Sequence, residues 1–155
     1  MIVRHFEQDD ARACCSIINA CITSTPHLSI SARFFLLSKN IPADFYNDVK
    51  DDYALIAELY GQVVGVGALR DNKIHHLYVS PDYQGSGIGE TLMLALEAEA
   101  EAQGIDIIEL DSPIQSLEFY EHLGYQNEGV SSGDIAHTTL ELTKMIKKLS
   151  KLAGV

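Results

Sequence analysis

Three short segments with alternating side chains follow one another between residues 53 and 79. They are Tyr53–Tyr60, Val63–Leu69 and Ile74–Val79, and tight turns at Gly61 and Asp71 separate them. Short strands joined by turns of this length form an antiparallel meander. The centre of the chain is therefore predicted to be three neighbouring strands of one sheet.

The segments on either side of the meander predict further strands and helices. Met1–Phe6 is expected to be the first strand, and Asp9 or Asp10 can cap the helix that follows it. The other predicted elements are the helices Ser31–Asn40, Pro42–Lys50, Gly87–Gln103 and Ser116–His122 and the strands Ile105–Leu110, Tyr125–Val130 and Ala136–Leu142. A meander followed by β-α-β-α-β indicates an α+β, or mixed α/β, domain with one central sheet.

Residues 1–155 contain no linker or repeat and are predicted to form a single domain with a basic C-terminal tail, residues 144–155. The tail has four lysines, and Met145, Ile146, Leu149 and Leu152 recur at helical spacing. This spacing predicts a terminal amphipathic helix or, failing that, a frayed chain end. A homodimer contact is one use that such a helix would have.

Charge is distributed unevenly along the chain. Twenty-two acidic residues against eleven basic ones give a net charge of −11, and residues 74–143 contain thirteen acids and no Lys or Arg. Binding to a phosphate backbone requires clustered basic side chains. Nucleic acid is therefore not expected as a partner.

The sequence predicts a cytoplasmic location. The amino end lacks the apolar run of a signal peptide, and no segment reaches the roughly 18 apolar residues of a membrane span. Cys14, Cys15 and Cys21 are an odd number on one predicted helix, without His partners at metal-ligand spacing. We expect three reduced thiols that pack as small apolar residues, and neither a membrane partner nor a metal.

A glycine-rich turn, Gln84-Gly-Ser-Gly-Ile-Gly89, opens the predicted long helix. The free N–H groups at a helix N-terminus, together with the helix dipole, bind phosphate. A dinucleotide-binding turn fits less well because Glu90 stands at its last glycine position, although Glu109 lies about where a ribose-binding acid would. A P-loop is excluded because no Gly-Lys-Ser/Thr follows, and a helix entry without a ligand remains a further interpretation.

Two motifs resemble those of the GNAT superfamily of acyl-CoA-dependent N-acetyltransferases. Leu77-Tyr-Val-Ser-Pro-Asp-Tyr-Gln84-Gly-Ser-Gly87-Ile-Gly89 is similar to the acyl-CoA signature of the family, Gln/Arg-x-x-Gly-x-Gly/Ala after a strand. Phe119-Tyr120-Glu-His-Leu-Gly124-Tyr125 is similar to its Phe-Tyr-x-x-x-Gly-Phe element. The motifs occur in the family's order, and the resemblance implies a mostly antiparallel sheet of about seven strands flanked by helices.

The resemblance also implies where acetyl-CoA binds. The pantetheine arm would pair with main-chain groups near Leu77 and Val79, in an opening between this strand and the strand after the long helix. The pyrophosphate would lie on the N–H groups of 84–89, and an amide near Val79 would stabilise an oxyanion. The implied cofactor-binding residues are Leu77, Tyr78, Val79, Gln84, Gly85, Ser86, Gly87, Ile88, Gly89 and Tyr120.

Tyr120 is the candidate general acid, because a phenol with an ordinary pKa of about 10 can protonate a thiolate leaving group. The attacking amine needs a base, and His75 or His76 is the candidate. Side chains alternate along a strand, so one of the two is expected to face the cleft and the other to face away. In that register His76 faces the same side of the sheet as Ile74 and Tyr78. The pattern does not decide which of the two histidines faces the cleft.

Two departures from the family pattern affect the cofactor site. Pro113 occupies a position where many members carry an Asn that holds pantetheine, so Ser112 or Ser116 is a candidate replacement. Basic residues for the 3′-phosphate of CoA are absent from 74–143, so backbone N–H groups must carry the anion unless Lys144, Lys147 or Lys148 folds back. We expect weak, salt-sensitive CoA binding.

The implied function is transfer of an acetyl group from acetyl-CoA to a primary amine by direct attack. The acceptor is a small-molecule amine or a protein amino group, and no residue distinguishes them. A non-catalytic acyl-CoA-binding regulatory module on the same fold is the alternative. A nucleotide-binding oxidoreductase fragment is a third interpretation.

Overall fold

A computed structural model describes residues 1–26, 28–135 and 138–149 of the chain. The strands are Ile2–His5 (β1), Tyr53–Leu59 (β2), Gln62–Arg70 (β3), Lys73–Val79 (β4), Ile107–Pro113 (β5), Gln126–Ile135 (β6) and Thr138–Lys148 (β7). The helices are Ala11–Ser24 (α1), Ile30–Lys39 (α2), Pro42–Val49 (α3), Ile88–Ala102 (α4) and Leu117–His122 (α5). These elements confirm the predicted α+β class.

The seven strands of the described residues form one sheet in the order β1-β2-β3-β4-β5-β7-β6. Every neighbouring pair is antiparallel except β4 and β5, which are parallel. The predicted meander is confirmed as β2, β3 and β4. The last strand lies between β5 and β6, so the sheet is completed by a pairing that is not local in sequence.

The parallel pair separates almost as soon as it forms. Lys73 and Glu109 are the one registered pair between β4 and β5 within the described residues, and the Glu109 N–H donates to Asn72 O at 2.9 Å. Towards Val79 and Pro113 the two strands are unpaired with each other. An opening between the parallel strands is therefore built into the sheet.

Helices cover the sheet on two faces. On one face α4 buries Leu92, Met93 and Leu96 completely, and a Cβ on Gly67 would lie 3.0 Å from Leu96 Cδ1. On the other face α1 and α3 pack on β2 and β3, and Cys14 is fully buried among them. The three cysteines of the chain are free, and Cys14 and Cys15 pack in the core as expected.

The expectation of a terminal helix is wrong for the first part of the tail, residues 144–148. Lys144 to Lys148 continue β7, and Lys144 is in register with Asp111 of β5. Thr143, Met145 and Leu149 are buried, which is the period of a strand. Residues 150–155, and Ala136 and His137 of the predicted last strand, lie outside the described residues. Among the described helices, none has the length and apolar character needed to cross a bilayer.

Candidate functional site

The glycine-rich turn forms the entry to α4, as its sequence predicts. Gly85 and Gly87 have φ values of +80° and +87°, a left-handed conformation that glycine adopts without strain. Gly87 is the N-cap residue, and the N–H groups of the first helical turn after it have no partner within the helix. The Gln84 amide donates to Val79 O at 3.2 Å, which ties the turn to the end of β4.

The N–H group of Val79, at the end of β4, faces the opening. The Ser80 N–H donates to Val64 O of β3 at 2.8 Å. Successive N–H groups of a strand point in opposite directions, so the Val79 N–H points away from β3, towards the unpaired part of β5. The Cys21 thiol of α1 donates to Val79 O at 3.2 Å, so α1 also reaches this edge.

Tyr120 of α5 lies close to Tyr78 of β4. Tyr120 is buried, and its ring contacts those of Phe119 and Tyr125 with centroids at 5.0 and 5.8 Å. Burial, with a smaller contribution from Tyr78, raises the pKa of Tyr120 well above its ordinary value. The expectation of an ordinary phenol pKa is therefore wrong, because the hydroxyl group is desolvated.

Phe119 of α5 lies close to Gly89 of α4. A Cβ on Gly89 would lie 3.1 Å from Phe119 Cζ, so a larger residue there would require the Phe119 ring to shift by a few tenths of an ångström. The glycine-rich turn thus has two uses. Gly87 permits the left-handed entry, and Gly89 leaves room for the ring of Phe119, the neighbour of Tyr120 in α5.

The two candidate base residues lie on the same side of the sheet, and the expected alternation is wrong here. His76 has a φ of +57°, and the register of β3 with β4 shifts between Val66 and Ala68. This is a β-bulge, which adds one residue to β4 and rotates the strand. The rings of His75 and His76 therefore lie side by side, with centroids 4.5 Å apart. Ile74 packs against the α4 face, whereas Tyr78 packs against the α1 face.

Each histidine is hydrogen-bonded to a carboxylate. Nε2 of His75 lies 2.8 Å from Asp52 Oδ2, and Nε2 of His76 lies 2.6 Å from Asp48 Oδ2. Arg70 joins the two pairs, with Nε 2.8 Å from Asp52 Oδ1 and Nη2 3.2 Å from Asp48 Oδ1. Asp48, Asp52 and Arg70 could not be identified from the sequence, because nothing in their spacing connects them with β4.

The environment favours the neutral form of His75. Burial lowers its pKa below the ordinary value, and His76 adds to this effect, while Asp52 opposes it. Burial alone would raise the pKa of Asp48, but hydrogen bonds from His76 and Arg70 bring it below its ordinary value. The surroundings thus favour the ionised form of Asp48 and the neutral form of His75.

A cavity of about 370 Å³ lies beside His75, at the closed end of the β4–β5 opening. The turn between β3 and β4, His75 and Glu109 line it. Lys73 pairs with Asp111 at 2.7 Å, and Lys144 lies 3.6 Å from Glu109. An acceptor molecule in this cavity would meet His75.

The structure shows the surroundings of the residues that could replace the missing pantetheine contact and the missing basic residues. Ser112 is fully buried and its hydroxyl donates to Pro113 O at 2.8 Å. Ser116, the other candidate for the pantetheine contact, is half-exposed. Lys144 is paired with Glu109, and Lys147 lies 3.0 Å from the buried Glu97 on α4. Neither of these two lysines folds back on the glycine-rich turn.

The fold and the sequence are similar to those of known acetyltransferases. The family described as acetyltransferase (GNAT) domain matches residues 33–149. An uncharacterised N-acetyltransferase of Methanocaldococcus jannaschii is 30% identical over 97 residues, which are 54% of this chain and 43% of that protein. The match thus spans less than half of that curated relative.

Solved structures agree with the family match. A GCN5-related N-acetyltransferase from Rhodopseudomonas palustris superposes with a TM-score of 0.87 and 30% identity, covering 96% of this chain and 95% of that one. The protein yncA of Salmonella typhimurium, solved with its cofactor acetyl-CoA, has a TM-score of 0.74 and 24% identity over 100% of this chain and 97% of its own. At 24% identity, the similarity to yncA is one of fold alone.

Proposed function

This chain belongs to the GNAT family of acetyltransferases, and we propose that it transfers an acetyl group from acetyl-CoA to a primary amine that attacks the thioester directly. One observation supports the proposal above all others. The open end of the β4–β5 opening, at Val79, lies beside the N–H groups at the start of α4 that have no partner within the helix. This arrangement offers an extended site for pantetheine and an anion site at one end of it.

In this proposal acetyl-CoA lies along the open edge of β4. The pyrophosphate binds the N–H groups of residues 84–89, and the pantetheine arm pairs with the main chain at Leu77 and Val79. The free N–H of Val79 then donates to the thioester oxygen. A donor that is already in place stabilises the oxyanion of the tetrahedral intermediate without reorganisation.

Tyr120 is proposed as the general acid. The amine nitrogen forms a bond to the carbonyl carbon, the C–S bond breaks, and the thiolate takes the proton of the Tyr120 hydroxyl. The raised pKa keeps that proton in place until negative charge develops on the sulfur.

His75 is proposed as the base, directly or through a water molecule. It lines the cavity at the closed end of the opening, whereas the ring of His76 packs against Phe45 with centroids 5.3 Å apart. Nε2 of His75 faces Asp52, so in the neutral ring the proton lies on Nε2 and Nδ1 is free to accept the proton of the amine. Asp52 is then a positioning residue that fixes this tautomer.

The test is a panel of amines with acetyl-CoA, scored by release of free thiol. The panel contains polyamines, aminoglycosides, amino acids and peptide amino groups. Amine-dependent thiol release with at least one class is the expected result, and mass spectrometry should find the product heavier by one acetyl group. Acetyl-CoA binding without thiol release from any amine would overturn the proposal and favour a non-catalytic acyl-CoA-binding module.

A further inference from the structure

We propose that His75, His76 and Asp48 bind one divalent transition-metal ion such as Zn²⁺, and that the bound ion inhibits acetyl transfer. The binding half depends only on the geometry of these three residues. The inhibitory half rests on the proposed function, because it requires His75 to be the base. The ion is an inhibitor and not a cofactor, so catalysis by the metal-free protein remains our expectation.

The β-bulge creates the site. On a regular strand, adjacent side chains point to opposite faces and could not share a ligand. The left-handed conformation of His76 places both imidazole rings on one face, and α3 brings Asp48 to the same point. Donor atoms of His75, His76 and Asp48 all lie within 4.8 Å of one another. Ligands of a tetrahedral Zn²⁺ bind at about 2.0–2.2 Å, so small side-chain rotations suffice.

The charge around the three residues favours a cation. Asp48 and Asp52 contribute two negative charges, and the guanidinium of Arg70 balances one of them. With both histidines neutral the cluster has an excess of one negative charge. Arg70 holds Asp48 through Oδ1, whereas Oδ2 lies towards the histidines. The carboxylate is therefore oriented before a metal arrives, at the price of some repulsion from Arg70.

Access and donor chemistry determine which ion fits. The side chains of Asp48 and His76 are 45% and 28% exposed, so an ion can reach them from solvent. Two imidazole nitrogens and one carboxylate oxygen suit Zn²⁺, Co²⁺, Ni²⁺ or Cu²⁺ better than Mg²⁺ or Ca²⁺. Asp52, beside Nε2 of His75, is the kind of carboxylate partner that a metal-bound histidine commonly has.

A bound metal ion would prevent His75 from acting as the base. A histidine whose lone pair coordinates a metal cannot accept the proton of the attacking amine. The positive charge of the ion would also repel an ammonium acceptor from the cavity next to His75. Inhibition is therefore expected to follow the occupancy of the metal site.

Binding can be measured without any acetyl acceptor. The full chain is treated with EDTA, transferred to metal-free buffer and titrated with Co²⁺, and its visible d–d absorption is followed; Zn²⁺ is then used to displace it. We expect one site per chain, weakened roughly tenfold or more in His75→Ala, His76→Asn and Asp48→Asn. Asn tolerates the left-handed conformation at position 76, so that variant should keep the bulge.

Two control variants separate this site from other donors. His122→Gln removes an exposed histidine of α5, and Cys21→Ser removes the least buried thiol; neither should change Co²⁺ affinity. Absence of saturable binding would overturn the proposal, as would binding lost in Cys21→Ser or unchanged in His76→Asn.

Inhibition is then measured with Zn²⁺ and the best amine of the panel. The concentration for half inhibition should equal the one for half occupancy. Binding without inhibition would leave the metal site standing and overturn both the inhibitory half and the role of His75. If no amine is acetylated, the proposed function fails while the Co²⁺ titration still decides the binding half.

Discussion

Nε2 of His75 in β4 lies 2.8 Å from Oδ2 of Asp52, which belongs to the connection between α3 and β2. Asp52 immediately precedes β2, which is separated from β4 by β3. Its side chain is 4% exposed, and Arg70 bonds to both of its oxygens. A carboxylate held this firmly fixes the orientation of the imidazole, as a catalytic base requires.

Replacing His75 by Ala should lower kcat by about 100-fold or more, because a positioned base contributes roughly that factor. The KM for acetyl-CoA should change little, since His75 lies at the closed end of the opening, where we propose that the acceptor binds. Asp52→Asn should lower kcat by a smaller factor with the same pattern, because it loosens the ring without removing it. Steady-state kinetics on variants of unchanged melting temperature tests this, with His122→Gln as the control. A normal kcat in His75→Ala would exclude it as the base.

Tyr120→Phe should lower kcat by about 100-fold while leaving stability nearly unchanged. Tyr125→Phe is the matched control, because Tyr125 is also a buried tyrosine but its hydroxyl donates to Glu97 at 2.7 Å. That variant should lose about 1–3 kcal/mol of unfolding free energy and keep its kcat. Urea unfolding and thiol-release rates separate the two effects. Equal kcat values for the two variants would remove the acid role of Tyr120.

Local sequence signals were sufficient for most of the fold. The meander follows from tight turns between short alternating segments, and α4 from an apolar face behind a glycine-rich entry. The end of β7 was missed because Met145 and Leu149 fit both a helical and a two-residue period. The pairing of this segment between β5 and β6 decides between them, and that contact is not local in sequence.

The candidate site could likewise be predicted only where its residues belong to motifs that are local in sequence. The glycine-rich turn and Tyr120 belong to contiguous motifs, so their positions could be given in advance. The bulge at His76 could not be predicted from the sequence, since histidine adopts a positive φ more often than most residues but far less readily than glycine. The carboxylate partners of the histidines come from α3 and from the residue before β2, and only the folded chain brings them together.

Gly87→Ala should weaken CoA binding roughly tenfold or more. A Cβ strains the left-handed N-cap, and relief of the strain would turn the N–H groups away from the pyrophosphate. Gly104→Ala is a matched control at the other end of α4, because its φ of +81° is similar and its Cβ also meets no atom within 4 Å. It should cost similar stability and leave CoA affinity unchanged, as calorimetry would show. Equal affinities in both variants would contradict the assigned pyrophosphate site.

CoA binding should be weak at low ionic strength and tighten several-fold between about 20 and 300 mM NaCl. The net charge of −11 repels the cofactor over long distances that salt screens, whereas hydrogen bonds at the turn are made at contact. Ser86→Lys should reverse this slope, because it adds an attraction that salt weakens. A submicromolar Kd that does not respond to salt would contradict the prediction.

Asp10 should make the stability of the protein depend on acid pH. Burial alone would raise its pKa, but Arg4, at 2.8 Å, and the Glu7 N–H outweigh this effect and bring it below the ordinary value. The folded protein therefore binds this proton less readily than the unfolded chain does. The stabilisation is complete above the unfolded pKa of about 3.9 and is lost as the pH falls through the lower folded value.

Asp10→Asn should accordingly lower the free energy of unfolding by about 1–3 kcal/mol at pH 7 and by less near pH 2.5. Asp9→Asn changes an exposed neighbour in the same turn and should have little effect at either pH. Urea denaturation of the three proteins across this range measures the difference directly. A loss in Asp10→Asn that is the same at both pH values would mean that packing, and not the charge on the carboxylate, stabilises the start of α1.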